Sequence, residues 1–326
     1  MNEKPISSSD PCGRAQGELR GESHGGEGAL LRRQAILVGN RHIANGVHAL
    51  DLLDPGLAES IQPGQFVMLA VGEGIVPFLR RPFAVAGIDK NEGLVRLIVQ
   101  IVGKGSGIIA GWEPGVTVRL LGPLGKGFTW RARAESVILT GGGIGIAPLL
   151  PLAKELRMCG KEVHVFVGAK SMDLLFGLDA FVEYGCRLVF TTEDSSGGIA
   201  GFVTQPLEEY LKKAFAQIDD PFPPPTAVKP NEIAANANEP PTPAGGFGLP
   251  AALYACGPTP FLQVVAALCM QYSLEAQLSL EERMGCGFGA CMGCSVQTKS
   301  PTGAIVRKRV CHDGPVFFAE EVVFGG

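Results

Sequence analysis

Four cysteines near the carboxyl end have a spacing that suits iron chemistry. They follow the pattern Cys286-x4-Cys291-x2-Cys294-x16-Cys311. The first three match the run of ligands for a plant-type [2Fe–2S] cluster, in which the fourth cysteine lies farther along the chain. Glycines alternate with other residues around these cysteines, so the backbone can wrap closely and point amide N–H groups at sulfur. The spacing therefore predicts a [2Fe–2S] cluster on these four cysteines.

Two other interpretations of the cysteines stay open at this point. A structural zinc site usually takes its ligands as two tight pairs, and here Cys291 and Cys294 form one such pair. His312 could in principle join that zinc site, or the cysteines could be inert and buried. The stretch between Arg283 and Ser300 contains no Asp or Glu, and this favours a cluster that is itself negatively charged.

Two segments of the first half carry groups suited to a phosphate and a flat ring. The run 80–85 is Arg-Arg-Pro-Phe-Ala-Val, which places two cations and an aromatic ring at a strand end. The run 103–107 is Gly-Lys-Gly-Ser-Gly and precedes an apolar helical stretch, where backbone N–H groups could bind phosphate. Each run alone is equally compatible with a solvated edge or an ordinary turn.

A glycine-rich turn, Thr140–Pro148, follows a predicted buried strand and opens a predicted helix. This is the context of a dinucleotide-binding turn, although Ala147-Pro148 stands where the usual third glycine would be. The candidate binding residues in the turn are Gly142, Gly143 and Gly145. A tight turn without any ligand is the alternative interpretation.

Two further strand ends should face the same crevice, because ligands of open α/β sheets lie at the carboxyl ends of strands. Cys256, Gly257 and Pro258 follow the last predicted strand of that sheet, although Cys256 could equally be a buried filler. Thr191–Asp194 ends another strand and offers carboxylates to a ribose. No arginine is present there for a phosphorylated ribose, so NAD is favoured over NADP.

The elements that must position these residues divide the chain into regions. Residues 1–33 are predicted to be a disordered extension. Short apolar runs separated by turns over 34–133 predict an antiparallel β-barrel. Strand–helix alternation over 134–275 predicts a doubly wound parallel α/β sheet, interrupted by a proline-rich insertion at 217–250. Residues 276–326 are predicted to be a small cysteine-rich module.

Composition excludes several classes of protein. Hydrophobic residues make up 46% of the 326 residues and charged residues 18%, so the chain can bury a large core. The net charge of −4 gives no sign of a nucleic-acid partner. The glycine- and proline-broken apolar stretches predict no membrane span, and the polar amino-terminal region is not a secretory signal. The chain has nine cysteines, and an odd number argues against a framework of disulfide bonds. We therefore expect a protein of the reducing cytoplasm.

Several motifs together resemble the ferredoxin-reductase superfamily. They are RRPFAV (80–85), GPLGKGF (122–128), TGGGIGIAPL (140–149), YACGP (254–258) and the tail ERMGCGFGACMGC…RVCHDGPVF. The chain resembles most closely the PyrK family, the electron-transfer subunits of the NAD-dependent class of dihydroorotate dehydrogenase. The likeness covers about residues 34–324, and its most specific part is the cysteine tail.

The resemblance implies a cofactor for each region. It implies FAD in the β-barrel, a [2Fe–2S] cluster on the four cysteines of the tail, and NAD at the α/β sheet. Two positions depart from the family pattern, because Ala84 stands where serine is frequent and Gln100 where arginine is common. The FAD-binding positions implied by the resemblance are Arg81, Pro82, Phe83, Ala84, Ile98, Val99, Gln100, Gly105 and Ser106.

The resemblance also implies a function that needs a second protein. Electrons would pass from the FMN of a catalytic subunit through the cluster and FAD to NAD⁺, in a complex of two catalytic and two electron-transfer subunits. No catalytic residue for dihydroorotate is evident in this chain, since its five histidines form no recognisable triad. The alternatives are a flavin and iron–sulfur reductase of the NAD(P)H:ferredoxin type, a subunit of a hydrogenase or sulfur reductase, and a zinc-bearing interaction module without enzymatic activity.

Overall fold

A computed structural model describes residues 32–72, 76–131, 134–216 and 249–325. The predicted disordered extension lies outside the described residues except for Arg32 and Arg33, which begin the first strand. The predicted proline-rich insertion also lies outside them, apart from residues 249–250.

The first region is a closed barrel of six strands joined by antiparallel pairs. Its elements are β1 (Arg32–Ala44), β2 (Val47–Leu53), α1 (Pro55–Ser60), β3 (Phe66–Leu69), β4 (Arg81–Asp89), β5 (Leu94–Gln100), α2 (Lys104–Ala110) and β6 (Thr117–Leu124). The strand order around the barrel is β1-β2-β5-β4-β3-β6. All six contacts between neighbouring strands are antiparallel.

Alternation of apolar side chains fills the barrel, and β5 shows how. Val95, Leu97 and Val99 are fully buried in the barrel core, while Arg96 between them is exposed. Ile98 breaks the alternation because it is buried on the opposite face. It packs there into a second hydrophobic cluster that the barrel shares with the α/β region. The barrel wall at this position is therefore covered by the next region of the chain.

The second region is a parallel sheet with helices. Its elements are β7 (Ser136–Gly142), α3 (Leu149–Met158), β8 (Glu162–Ala169), α4 (Leu178–Glu183), β9 (Arg187–Thr192), β10 (Ile199–Ala200), α5 (Thr204–Ala216), β11 (Ala252–Cys256), α6 (Thr259–Gln271) and β12 (Glu275–Ser279). The chain adds strands outward from β7 on one side and continues from β11 on the other, in the order β10-β9-β8-β7-β11-β12. This order places the topological switch point between β7 and β11. The predicted barrel followed by a doubly wound sheet is confirmed.

The cysteine-rich tail is joined to both other regions. Strands β13 (Ser295–Lys299) and β14 (Ile305–Arg309) form a two-stranded hairpin, and β15 (Val316–Phe318) extends the parallel sheet as an antiparallel edge strand beside β12. The strand β12 crosses the predicted boundary between residues 275 and 276. On the barrel side, the Lys126 N–H donates to the carbonyl oxygen of Gly314 over 2.6 Å.

The glycine turn after β7 passes very close to the end of β11. A Cβ atom built on Gly145 would lie 2.2 Å from the carbonyl oxygen of Cys256, so a side chain cannot be accommodated without moving the backbone. By contrast, a Cβ on Gly107, inside α2, would lie 3.9 Å from its nearest neighbour.

We predict that Gly145→Ala destabilises the protein, whereas Gly107→Ala does not. The clash at Gly145 should cost about 1–3 kcal/mol, which lowers the melting temperature by several degrees. Alanine inside the helix should leave stability unchanged or raise it by about 0.5–1 kcal/mol. Thermal unfolding of the two variants beside the parent protein measures this difference. Equal melting temperatures for the two variants would show that the turn does not pack against β11 as described.

Candidate functional site

Strands β4 and β5 part at one end of the barrel. Among the described residues, their pairing runs from Asp89 and Leu94 to Val85 and Leu97 and goes no farther. Residues 81–84 remain paired with β3, and residues 98–100 remain paired with β2, each through its outer edge. Their inner edges face each other, and we call this gap the barrel opening. Backbone groups on the two edges can bind a flat polar ring, since such groups require partners when they are covered.

Arg81, the predicted phosphate-binding arginine, begins β4, and its guanidinium lies against the start of α2. A Cβ atom built on Gly105 would lie 2.8 Å from Nε of Arg81, so the absence of a side chain at this position admits the guanidinium. Nη1 of Arg81 donates to the carbonyl oxygen of Leu79 over 2.6 Å, which holds one end of the guanidinium group in place. The arrangement puts a cation next to the backbone of a helix start, as binding of an anionic phosphate requires.

Ser106 shapes the loop that precedes this helix. Its hydroxyl oxygen accepts hydrogen bonds from the N–H groups of Val102 and Gly103, at 3.0 and 3.2 Å. Its hydroxyl also lies 3.1 Å from the carbonyl oxygen of Gly103, to which it donates. Because these bonds engage the side chain within the loop, the structure gives Ser106 a positioning role.

The other residues expected at the flavin differ in what they present to the barrel opening. Phe83 is half-buried and packs against the barrel core. The side chains of Ile98 and Val99 are buried in two separate hydrophobic clusters, so these residues offer backbone atoms to the opening. Gln100 is partly exposed and also lines the neighbouring cleft, which connects the two sites.

A cleft of about 780 Å³ lies at the carboxyl ends of the parallel strands. Gly142 and Gly143 of the glycine turn line it together with Pro258 and Phe261, and Val47 borders it from the barrel side. Since the cleft lies at the switch point of the sheet, it is where this fold binds nucleotides.

The remaining predicted residues of the nucleotide site lie beneath the cleft. Gly145, Cys256 and Gly257 are all buried, and Gly145 packs directly on the backbone of the other two. Burial raises the pKa of the Cys256 thiol far above its usual range, so this cysteine is a neutral filler at physiological pH. The structure therefore gives these three residues a supporting role beneath the lining.

The far end of the cleft carries both signs of charge. Thr191 and Glu193 line it as predicted, and Lys170 joins them from the end of β8. The Thr191 hydroxyl is buried and has no hydrogen-bond partner within the described part of the chain. Lys170 was not predicted, although it follows directly after a buried strand, which is the same signal that identified Glu193.

Two more residues that line the cleft, Phe202 and Glu281, were not predicted from the sequence. Phe202 is 61% exposed and borders the cleft before α5, where an aromatic face could stack on a base. Glu281 lines the cleft just after β12, and burial raises the pKa of its carboxyl group. The sequence signal for both residues was weak, because they reach the cleft only when β10 and β12 join the sheet.

The four cysteines of the tail form two pairs. Cys286 lies close enough to Cys291 to interact with it, and Cys294 lies close enough to Cys311. Within the described residues, no three His, Cys, Asp or Glu side chains surround one point that could hold a single metal ion. Two thiols per metal is the arrangement of a binuclear cluster, in which each iron takes two protein ligands. It differs from a structural zinc site, where four ligands surround one ion.

Backbone N–H groups point at the sulfur atoms of this site. Burial alone would raise the pKa of Cys286, but N–H groups of Cys291, Phe288 and Ala290 donate to its sulfur and lower the pKa to about 6. A thiolate is the form that binds iron, so this end of the site is prepared for a metal.

The inner pair of cysteines is buried, and each sulfur receives a backbone donor. The Gly289 N–H donates to Sγ of Cys311 over 3.2 Å, and the Cys311 N–H donates to Sγ of Cys294 over 3.4 Å. Burial and the neighbouring thiol of Cys294 raise the pKa of Cys311 to about 12. A bound metal would therefore displace a proton from this pair. The donor set fits a [2Fe–2S] cluster.

The loop that carries the cysteines lies against strand β3 of the barrel. A Cβ atom on Gly287 would lie 2.5 Å from Cγ of Met68, and Gly287 has a φ of +82°, which glycine adopts without strain. Met68, in β3, pairs with Pro82 of β4. Strand β3 thus lies between the cysteine loop and β4, whose free edge faces the barrel opening.

Comparisons with known proteins agree with this geometry. The family model "Iron-sulfur cluster binding domain of dihydroorotate dehydrogenase B" matches residues 281–323. The "Dihydroorotate dehydrogenase B (NAD(+)), electron transfer subunit" of Geobacillus kaustophilus is 37% identical over 294 residues, which cover 90% of this chain and 98% of that protein. The subunit of the same name from Desulforamulus reducens is 30% identical and covers 86% and 94%.

Solved structures share the fold. The structure described as an NADH-dependent reduced ferredoxin-NADP oxidoreductase aligns with a TM-score of 0.69 and 28% identity, over 89% of this chain and 90% of that one. A phthalate dioxygenase reductase aligns with a TM-score of 0.52 and 16% identity, over 86% and 78% of the two chains, and shows the fold alone.

The described helices include none that is long and apolar enough to span a bilayer. The resemblance noted in the sequence is confirmed by the relatives. The chain belongs to the family of electron-transfer subunits of NAD⁺-dependent dihydroorotate dehydrogenase B.

Proposed function

We propose that this chain binds FAD at the barrel opening, NAD⁺ in the cleft and a [2Fe–2S] cluster on Cys286, Cys291, Cys294 and Cys311. It is an oxidoreductase subunit that transfers electrons within a dihydroorotate dehydrogenase complex. When bound, these cofactors supply the hydride and single-electron chemistry by which electrons from the catalytic subunit reach NAD⁺. The reaction serves pyrimidine biosynthesis.

The observation that carries this proposal is the contact between the cysteine loop and the barrel. Gly287 touches Met68, and Met68 pairs with Pro82 at the edge of the barrel opening. Gln100 lies at the barrel opening and also lines the cleft. The three candidate sites are therefore neighbours in one continuous row, as electron transfer between their ligands requires.

The residues of the row have distinct tasks. Arg81 and the start of α2 bind phosphate, and the parted strand edges hold the ring. Gly142, Gly143 and Pro258 give the dinucleotide close access to the backbone. The amide groups around the cysteines stabilise negative charge on sulfur without adding a formal positive charge.

Oxidation of dihydroorotate belongs to a partner subunit. The described histidines lie on β1, β2 and β8 and beside Cys311, and none of them lines the cleft. We propose that the partner contains FMN, that two catalytic and two electron-transfer subunits assemble, and that the complex works in the cytoplasm. The net charge of −4 supports no role for nucleic acid.

A second candidate function is reduction of a ferredoxin-type acceptor. The observation that favours it is the TM-score of 0.69 with an NADH-dependent reduced ferredoxin-NADP oxidoreductase. Purification of the native complex separates the two candidates. A dihydroorotate-oxidising flavoprotein that copurifies supports the proposed function, and a copurifying ferredoxin or hydrogenase supports the second.

We predict that Cys291→Ser abolishes electron transfer through the cluster while NADH still reduces dyes. The substitution removes one of the four proposed thiolate ligands, whereas the barrel opening and the cleft stay intact. Iron content, the visible spectrum and NADH-to-dye activity are measured after anaerobic purification. The matched control is Cys159→Ser, at the end of α3, which should keep its iron.

Two results would contradict the ligand assignment or the division into sites. Retention of full iron content by Cys291→Ser would remove this cysteine from the cluster. Loss of dye reduction together with the iron would show that the flavin cannot stay bound without the cluster.

We predict that Arg81→Gln weakens FAD binding by about 10–100-fold. The loss corresponds to one charge-assisted hydrogen bond to phosphate, about 1.5–3 kcal/mol. The dissociation constant is measured by flavin fluorescence after reversible removal of FAD. Arg41→Gln is the control, because Arg41 is an exposed barrel arginine that pairs with Asp51. Equal dissociation constants for the two variants would place the phosphate elsewhere.

A further inference from the structure

Arg309 connects the two segments that carry the cysteines. It is the last residue of β14 and precedes Cys311 by two positions. Its Nε and Nη2 donate to the two carboxylate oxygens of Asp313, at 3.0 and 3.2 Å. The remaining arm of the fork, Nη1, donates to the carbonyl oxygen of Gly289 over 3.0 Å. One guanidinium thus binds the turn after Cys311 and the loop that carries the other three cysteines.

The peptide groups of Gly289 are held from both sides. Its carbonyl oxygen accepts from Arg309, and its N–H donates to Sγ of Cys311 over 3.2 Å. Gly289 has a φ of +91°, and a Cβ atom there would lie 3.0 Å from Cβ of His312. The absence of a side chain therefore lets this residue meet the Cys311 segment at hydrogen-bond distance.

Asp313 closes the turn that contains Cys311. Its Oδ2 accepts the backbone N–H of Arg309 over 2.7 Å as well as the guanidinium, and its Oδ1 lies 2.9 Å from Nδ1 of His312. The Asp313 carboxylate therefore closes this turn and binds the Arg309 guanidinium at the same time.

We infer that Arg309 is a positioning residue for the cluster: with Asp313 it fixes Gly289 so that the Gly289 N–H stays bonded to the sulfur of Cys311. This inference rests on the proposed function, because it concerns the same four cysteines. Lysine cannot reproduce the role, since a single ammonium group lacks the planar fork that reaches both Asp313 and Gly289.

The test uses the native complex, purified anaerobically with Arg309→Gln, Arg309→Lys or Asp313→Asn in this chain. Arg307→Gln is the matched control, because Arg307 lies on the same strand, is exposed, and has its Nη1 at 3.5 Å from Oγ of Ser295. Two quantities are measured: the rate of iron release to a ferrous chelator, and the midpoint potential of the cluster from its EPR signal. Flavin content and melting temperature are recorded for every variant.

Arg309→Gln should release iron about tenfold faster or more, as changes to residues that orient metal ligands do. Its midpoint potential should become more negative, because a hydrogen bond to sulfur is lost. Asp313→Asn should change both quantities in the same direction, and Arg309→Lys should fall between the parent and Arg309→Gln. Arg307→Gln should match the parent complex.

Two results would overturn the inference. One is that Arg309→Gln and Asp313→Asn match Arg307→Gln in both quantities. The other is faster iron release with a lower melting temperature but an unchanged potential, which is the result of a purely structural role. If Arg309→Gln does not fold, the potentials of Arg309→Lys and Asp313→Asn decide the matter. Absence of iron from the parent complex would instead refute the proposed function.

Discussion

The contact between the cysteine loop and strand β3 is the constraint on which the rest of the site depends. Gly287 has no side chain and a positive φ, so its backbone reaches Met68, whose pairing partner Pro82 borders the barrel opening. From the other side, β15 extends the parallel sheet and holds the tail in place. The tail is therefore built into the body of the protein, and the position of its cysteines relative to the barrel is set by core packing.

Backbone N–H groups are the main partners available for the negative charge of the proposed cofactors. FAD and NAD⁺ bring phosphates and a [2Fe–2S] cluster brings thiolates, yet the chain itself has a net charge of −4. Each proposed site contains a glycine-rich segment, and a backbone without side chains can bring its N–H groups close to an anion. Cationic side chains add to this, because the Arg81 guanidinium lies against the start of α2 and Lys170 lines the cleft.

Local patterns in the sequence were sufficient for the fold and for the motifs of each site. The spacing of the cysteines predicted a cluster, and strand–helix alternation predicted the sheet. The relation between sites was not predictable in the same way, because it depends on contacts between distant segments, such as Gly287 with Met68. Lys170 was predictable in principle, because it follows a buried strand just as Glu193 does and both residues line the cleft. Cys256 belongs to a strand-end motif, but its side chain is buried. The sequence alone does not distinguish a cysteine that faces a ligand from one that fills the core.

The proposed function requires that the cluster and the flavin lie close enough for electrons to pass between them within this chain. The most direct test is to mix the native complex with NADH under anaerobic conditions and to follow flavin absorbance and the EPR signal of the cluster together. We expect the EPR signal to develop as the flavin absorbance falls. If the flavin bleaches while the cluster gives no signal, and dithionite then reveals that the cluster is present, electrons do not pass between the two groups and the proposed relay is wrong.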